Sequence, residues 1–265
     1  MSDSLSGKKI WITGASSGIG EALAHELCSR GALVLASARR KERLEQLQKD
    51  ARGPGRIEIL PLDVSETDEA RSWVEDAEAK VGAIDVLVHN AGISQRSLVA
   101  ETTLEVDRRI MEVNYFGVVA LTKALLPRFV ERRRGHFVVV SSVTGYVGTP
   151  ERSAYAASKH ALHGFFESLR AEQHERGLRV TMVCPGFVDT DITLSALSGD
   201  GKAYGQRATT NASGITPDAC AKAIASGIEH QKREVYVGGK EIAGIYLRRF
   251  VPGVLATALR KIKTT

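Results

Sequence analysis

The sequence predicts one α/β domain, doubly wound, with a central, mostly parallel seven-stranded sheet and helices on both faces. Three observations carry that expectation. Short apolar runs rich in β-branched residues recur along the 265-residue chain, as strands buried on both faces do. Longer segments with helical spacing lie between them, and alternating β and α units imply right-handed crossovers in an open sheet. No internal repeat and no low-complexity linker interrupts the alternation. In such a sheet ligands collect at the carboxyl ends of the strands, so the loops after the strands are where chemistry is expected.

Seven segments qualify as strands: Lys8–Thr13, Ala32–Ser37, Arg56–Leu60, Ile84–His89, His136–Ser141, Leu178–Cys184 and Glu234–Val237. The first runs into Thr13-Gly14-Ala15-Ser16-Ser17-Gly18-Ile19-Gly20, then into a helix whose Ile19, Leu23 and Leu27 make one apolar stripe. Glycines there permit a tight turn and close approach of a pyrophosphate, and the helix N-terminus offers free N–H groups. The spacing is Gly-x-x-x-Gly-x-Gly rather than the commoner Gly-x-Gly-x-x-Gly. Such turns also close purely structural loops, but the position after the first strand favours a nucleotide.

After the second strand stands Ser37-Ala38-Arg39-Arg40-Lys41, with no carboxylate before Glu42. An acidic residue there would accept from the adenosine ribose and favour NAD(H). A guanidinium instead pairs bidentately with a 2′-phosphate, so Arg39 and Arg40 point to NADP(H) over NAD(H). Lys41 and Arg43 read as the solvated start of the next helix. Further on, Leu125 and Phe129 mark a buried helix face. Arg132-Arg133-Arg134-Gly135 reads as that helix's C-terminus, with cations against the dipole and glycine at the cap.

The fifth strand delivers Ser142 to its carboxyl end, where a hydroxyl can hydrogen-bond a substrate oxygen. Tyr155-Ala156-Ala157-Ser158-Lys159 then places a phenol and an ammonium at i and i+4 on one helix face. A free phenol has a pKa of about 10; a neighbouring cation favours the phenolate and makes a usable general acid or base. Tyr-x-x-x-Lys alone is common surface decoration. Combined with Ser142 and the glycine loop it is far rarer.

With these residues in order, the chain resembles a classical short-chain dehydrogenase/reductase, a Rossmann-type fold, over nearly all its length to about residue 238. The resemblance implies a cofactor loop at Thr13, Gly14, Gly18 and Gly20, an adenine contact at Asp63-Val64, and a central-strand support at Asn90-Ala91-Gly92. It implies a catalytic tetrad of Asn114, Ser142, Tyr155 and Lys159. Pro185-Gly186, Val188 and Thr190 fall in the segment that holds the nicotinamide carboxamide. His89 stands where many relatives carry asparagine. The implied reaction passes a hydride between NADP(H) and a carbonyl or secondary alcohol. Tyr155 moves the proton and Ser142 orients the oxygen. Lys159 holds the nicotinamide ribose and depresses the Tyr155 pKa, while Asn114 anchors a water relay. Homodimers or homotetramers are expected on the same basis.

Other features have plainer readings. His160-x-x-His163 lacks a clear third ligand, so no metal is expected. Asp189 and Asp191 flank Thr190 and begin a loop over the substrate, about residues 190–215. That loop is rich in Ser195, Ser198, Gly199, Gly201, Gly205, Thr209, Thr210 and Ser213 and suits a flexible lid more than a packed element. Leu194, Leu197, Tyr204 and Phe187 are candidates to line an apolar pocket there. The pocket's composition fits a ketone, a steroid-like molecule or an acyl group without naming one.

Hydrophobic residues make up 43% and charged residues 25% of the chain, which excludes disorder. The net charge of +5 hints at polyanions, but residues 231–265 hold eight basic and two acidic side chains, leaving a near-neutral body. No nucleic acid partner is expected. The N-terminus reads as no signal peptide, and no uncharged apolar run reaches the ~18 residues of a spanning helix. Cys28, Cys184 and Cys220 read as buried thiols of a cytoplasmic protein. The 239–265 extension has Ile242, Ile245, Tyr246 and Phe250 on one helical face, and Val254, Leu255, Leu259 and Ile262 on another after Pro252-Gly253. Arg248, Arg249, Arg260, Lys261 and Lys263 make it basic. It either packs on the domain and roofs the pocket or touches an anionic membrane from the side. The competing functional reading is a cofactor-sensing or membrane-surface docking module on the same fold with little turnover.

Overall fold

A computed structural model describes residues 4–206 and 213–260. Seven parallel strands form one sheet in the order β3-β2-β1-β4-β5-β6-β7. They are β1 (Lys9–Thr13), β2 (Leu33–Ser37), β3 (Arg56–Ile59), β4 (Val86–His89), β5 (Gly135–Val140), β6 (Leu178–Pro185) and β7 (Glu234–Val237). Each lies within two residues of its predicted span. The largest difference is at β4, where Ile84 and Asp85 precede the ladder. Asp85 is instead an anchor: its Oδ2 accepts from the Lys9 amide at 3.0 Å, and its Oδ1 pairs with Arg134 at 3.3 Å.

Strand order reverses beside β1, which pairs with β2 on one side and β4 on the other. The two neighbours lead their connections to opposite faces, so a crevice opens above the carboxyl ends of β1 and β4. The helices are α1 (Gly18–Ser29), α2 (Lys41–Asp50), α3 (Ala70–Val81), α4 (Leu104–Met111), α5 (Gly117–Glu131), α6 (Ser153–Glu172), α7 (Pro217–Glu229), α8 (Ala243–Phe250) and α9 (Pro252–Leu259). On one face of the sheet, Leu23 and Leu27 of α1 and Ile224 and Ile228 of α7 bury against Ile10, Ile12 and Val183. On the other, Leu121, Leu125 and Phe129 of α5 and Phe166 of α6 bury against Trp11, Phe137 and Met182. Trp11 brings an indole N–H into that core, where Ser37 Oγ accepts from it at 2.8 Å.

The α5 terminus departs from its expected form. The helix ends at Glu131, and it is Arg133, with φ of 50°, that takes the left-handed turn. Gly135 opens β5 instead, because its Cα lies against the Phe129 ring, leaving no room for a side chain. The cations do find acceptors: Arg132 Nη2 donates to Ile84 O at 2.7 Å and Arg133 Nη2 to Glu175 O at 2.8 Å.

Helices α4 and α5 are joined by a π-helical turn, Glu112–Phe116, so that Leu104–Glu131 is one continuous helix. By length and composition that helix could cross a membrane. It carries Lys123 and Arg128 and buries Leu121, Leu125 and Phe129 fully, as a core helix does.

Two imidazoles make the fold acid-sensitive. His89 is 2% exposed, stacked on Phe137, with Nε2 2.8 Å from Thr122 Oγ1. Burial drives its pKa down to about 3 and that of His163 down to about 4. An unfolded imidazole titrates near 6.5, so both groups contribute full stability above that value and lose it as pH falls toward their folded values. At pH 5 each costs about 2 kcal/mol relative to pH 7. His89→Asn should reduce the stability lost between pH 7 and pH 5 by about 2 kcal/mol in denaturant unfolding. An unchanged loss would place the acid sensitivity elsewhere.

Candidate active site

The crevice is a cavity of about 1150 Å³ running from the glycine loop to α9. Its cofactor end is built from β1. Thr13 Oγ1 accepts from the amides of Asn90 and Ala91, each at 3.2 Å, and Asn90 Nδ2 donates to the carbonyls of Thr13 and Gly14 at 3.1 and 3.0 Å. These bonds clip the end of β4 to the loop. Gly20 has to be glycine because the Gly14 carbonyl and the Asn90 amide occupy the space of a side chain. Ser17 stands at the N-cap of α1 but its hydroxyl makes no capping bond. The first-turn N–H groups and the dipole end of a twelve-residue helix thus face the cavity that Ser16, Ser17, Gly18 and Ile19 line.

Arg40 folds over this loop, its Nη2 donating to Ser16 Oγ at 3.0 Å and Ser17 Oγ at 3.1 Å. Arg39 is exposed and 3.7 Å from Asp63 Oδ2. Arg43, read from sequence as solvated, reaches Ser16 O at 3.5 Å and lines the same cavity. One turn of α2 carries it back over the loop that Arg40 covers, a placement that i, i+3 spacing from Arg40 could have flagged. Lys41 does face away, 3.7 Å from Glu45. The cavity is also bounded by Val64, by Ala91 and Gly92, and by Pro185, Gly186, Val188 and Thr190 after β6. Thr190 packs against Gly18, bringing the segment after β6 back to the glycine loop.

At the other end stand the four polar residues. Asn114 lies in the π-helical turn and is fully buried. Its Oδ1 accepts from Ile93 N at 2.8 Å, and its Nδ2 donates to Ile93 O at 2.9 Å and Ser158 Oγ at 3.0 Å. π-turns often mark functional sites; here the turn sits where α4 passes into α5. The absence of a side chain at Gly92 leaves open the space that Asn114 Oδ1 and the Lys159 ammonium both border. Ser142 caps the short helix Val143–Gly145 by accepting from Thr144 N at 3.1 Å, and its hydroxyl donates to Pro185 O at 3.4 Å. Lys159 Nζ donates to Val140 O at 2.9 Å and lies 5.7 Å from the Tyr155 ring centroid.

The electrostatics differ from expectation at Tyr155. Its pKa is raised, because burial outweighs the Arg152 charge and the Ser142 hydroxyl that both favour phenolate. Arg152, three residues upstream, holds its guanidinium 5.8 Å from the ring. Lys159 is itself pushed down to about 8 by burial. The neighbouring charge that acts on the phenol in this structure is therefore Arg152, and Tyr155 is poised as a neutral proton donor at pH 7.

The substrate segment is more ordered than its composition implies. Thr193 and Ala196 are fully buried, Asp191–Thr193 is a 3₁₀ turn, and Leu197 forms bridges to Gln95 and Ala203. Apolar side chains at 194, 196 and 197 among the small ones account for the packing. Residues 207–212, with Thr209 and Thr210, lie outside the described residues. Leu194, Leu197 and Phe187 line the cavity, whereas Tyr204 does not. From the C-terminal segment Gly244, Leu255 and Leu259 close the same cavity. Glu241, which the sequence reading passed over, fixes that segment: its Oε1 accepts from Phe187 N at 2.8 Å and Gly239 N at 2.9 Å. Only tertiary proximity reveals that role. Tyr246, Phe250, Val251 and Val254 are exposed on the outer side, 54, 76, 43 and 62% respectively.

The remaining motifs are structural. His163 Nε2 is 2.9 Å from Ser141 Oγ, and His160 Nδ1 is 2.8 Å from Ala156 O. Among the described residues no three potential ligands gather. Cys28, Cys184 and Cys220 are buried free thiols.

Known proteins share this architecture. The family profile described as short chain dehydrogenase matches residues 8–200. "Dehydrogenase/reductase SDR family protein 7-like" of Anopheles gambiae is 43% identical over 264 residues, covering 97% of this chain and 83% of that one. "Dehydrogenase/reductase SDR family member 7B" of Bos taurus is 39% identical over 251 residues, covering 92% and 77%. Among solved structures, a short-chain dehydrogenase from Streptomyces avermitilis superposes with a TM-score of 0.80 at 30% identity, covering 97% of both chains. A short chain dehydrogenase from Burkholderia cenocepacia in complex with NADP superposes with a TM-score of 0.81 at 26% identity, covering 97% of this chain and 99% of that one.

Proposed function

Since the chain belongs to the short chain dehydrogenase family, we propose that it is an NADP(H)-dependent oxidoreductase that interconverts a carbonyl and a secondary alcohol, chiefly toward the alcohol. The observation that carries this reading is the convergence of Ser142, Tyr155 and Lys159 on one cavity with an arginine-covered glycine loop. NADPH, when bound, supplies the hydride. The chain's own residues do the rest. The uncapped α1 N-terminus receives the pyrophosphate, while Arg40, Arg39 and Arg43 bind the 2′-phosphate. Asp63 and Val64 would contact the adenine, and Asn90, Ala91 and Gly92 would support the central strand. Pro185, Gly186, Val188 and Thr190 hold the carboxamide. Ser142 orients the carbonyl oxygen by hydrogen bonding. Tyr155, buried and neutral, gives the proton to that oxygen. Lys159 holds the nicotinamide ribose, and with Asn114 returns a proton to Tyr155.

Neutral Tyr155 favours reduction over oxidation, since oxidation requires the phenolate to accept a proton. Phe187, Leu194, Leu255 and Leu259 fit an apolar substrate body. The test is turnover of NADPH with a panel of ketones and aldehydes. Saturable consumption, faster than with NADH, is expected. Tight NADPH binding with no turnover on any carbonyl would favour the cofactor-sensing alternative.

The outer face of α8 and α9 supports a second, compatible reading: peripheral contact with an anionic membrane. Tyr246, Phe250, Val251 and Val254 stand exposed among Arg248, Arg249 and Arg260, a pairing of apolar and basic groups that suits a headgroup boundary. Lys261, Ile262 and Lys263 lie outside the described residues. Sedimentation with acidic vesicles at low salt should carry the protein down, and Phe250→Ser with Val254→Ser should leave it in solution. Failure of the unaltered protein to sediment ends that reading. A homodimer or homotetramer in the cytoplasm, its buried thiols kept reduced, completes the proposal.

A further inference from the structure

The substrate end of the cavity holds arginines that the tetrad does not use. Arg96 and Arg152 both line it beside Tyr155, and Arg109 stands at its margin. Arg96 is 6% exposed, with its Nη1 3.6 Å from Glu151 Oε2. Arg152 holds its guanidinium against the Tyr155 ring, and its Nη2 is buried without a hydrogen-bond partner. Burial and the Arg96 charge both work against the Arg152 cation, with Glu151 opposing them. Glu151 thus lies beside both guanidiniums, pairing with Arg96 and acting on the Arg152 charge. Of the other acids on the cavity wall, Asp63 faces Arg39 and Glu241 accepts from two backbone amides.

Keeping a guanidinium buried and incompletely hydrogen-bonded is costly unless an anion arrives to complete it. The planar donor fork of arginine matches a carboxylate or a phosphate, and both chemistries are open to it. The cavity wall opposite is apolar, formed by Phe187, Leu194, Leu255 and Leu259.

Resting on the reductase reading, we propose that the substrate is an anionic amphiphile, a carbonyl compound with a carboxylate or phosphate bound by Arg152 and Arg96 and an apolar body under α9. Arg152 is a specificity-determining residue, and its position against Tyr155 puts the anion close to the reacting carbonyl.

The experiment compares matched pairs with the full-length protein and NADPH: a medium-chain oxo acid against its methyl ester, and a long-chain ketone phosphate monoester against its uncharged alcohol. The unaltered protein should favour the charged member of at least one pair in kcat/KM, and Arg152→Gln should shrink that ratio about tenfold to a hundredfold. The pair that responds tells carboxylate from phosphate. Arg152→Lys, which keeps charge without the fork, should retain part of the ratio. If Arg152 serves only to tune Tyr155, both members fall together and the ratio stays, which overturns the proposal, as does an unaltered protein that treats both members of each pair alike. Binding is measured separately by calorimetry, titrating a redox-inert alkyl phosphate and an alkyl carboxylate into the NADP⁺ complex. Tighter binding than the matching alkyl alcohol supports the anion site even if no carbonyl turns over, and equal binding overturns it even if neutral ketones are reduced.

Discussion

Tyr155→Phe should abolish turnover while leaving cofactor binding in place. The phenyl ring keeps the buried volume and the contact with the Arg152 guanidinium. Only the hydroxyl is lost, and with it the proton that compensates the oxygen as the hydride arrives. Positioned proton transfer contributes about 10²- to 10⁴-fold, so kcat should fall to within a small factor of background. NADPH affinity, read by fluorescence quenching, should change less than threefold, or about 0.6 kcal/mol. Retention of a tenth or more of the unaltered kcat would remove Tyr155 from the proton-transfer role. The raised Tyr155 pKa has a direction as well: reduction should persist across neutral pH and oxidation should rise as the solution becomes more alkaline.

Replacing Arg39 and Arg40 together by serine should remove most of the preference for NADPH. Arg40 bridges both loop serines, and Arg39 stands beside Asp63 at the edge of the same cavity. Charge-assisted hydrogen bonds contribute about 1.5–3 kcal/mol each, so the NADPH-to-NADH ratio of kcat/KM should fall by about two to four orders of magnitude. NADH values should stay nearly constant, since its ribose carries no phosphate to lose. Arg43 remains in the double variant and sets the residual preference. Arg43→Ser alone should weaken NADPH by a smaller factor. Equal losses for both cofactors would show that the arginines merely shape the loop.

The parts of the fold that were readable in the sequence are those with local causes. Strands buried on both faces have to be continuously apolar, and the glycines of the first loop are required by contacts within a few residues of chain or with the adjacent strand end. Motif order and register singled out Ser142, Tyr155, Lys159 and the glycine loop as a set, and the fold brings them to one cavity. What escaped has tertiary causes. Gly135 opens β5 rather than capping α5 because the Phe129 ring occupies the space beside it. Glu241 organises the backbone of Phe187 across 54 residues of chain. Tyr155 rises in pKa because the folded chain buries it, whereas pattern alone showed only the helpful neighbour four residues away. Arg96 and Arg152 meet only when the loop after β4 and the start of α6 are brought to one wall of the cavity.

The most direct test of the central claim follows the hydride itself. NADPH deuterated on the transferable position of its nicotinamide ring is incubated with the protein and a carbonyl compound that it turns over, and the product is read by mass spectrometry and NMR. The account predicts one deuterium on the new carbinol carbon, in a single stereochemical sense, and its disappearance with Tyr155→Phe. Product without the label on that carbon, or label transfer undiminished in Tyr155→Phe, would contradict it.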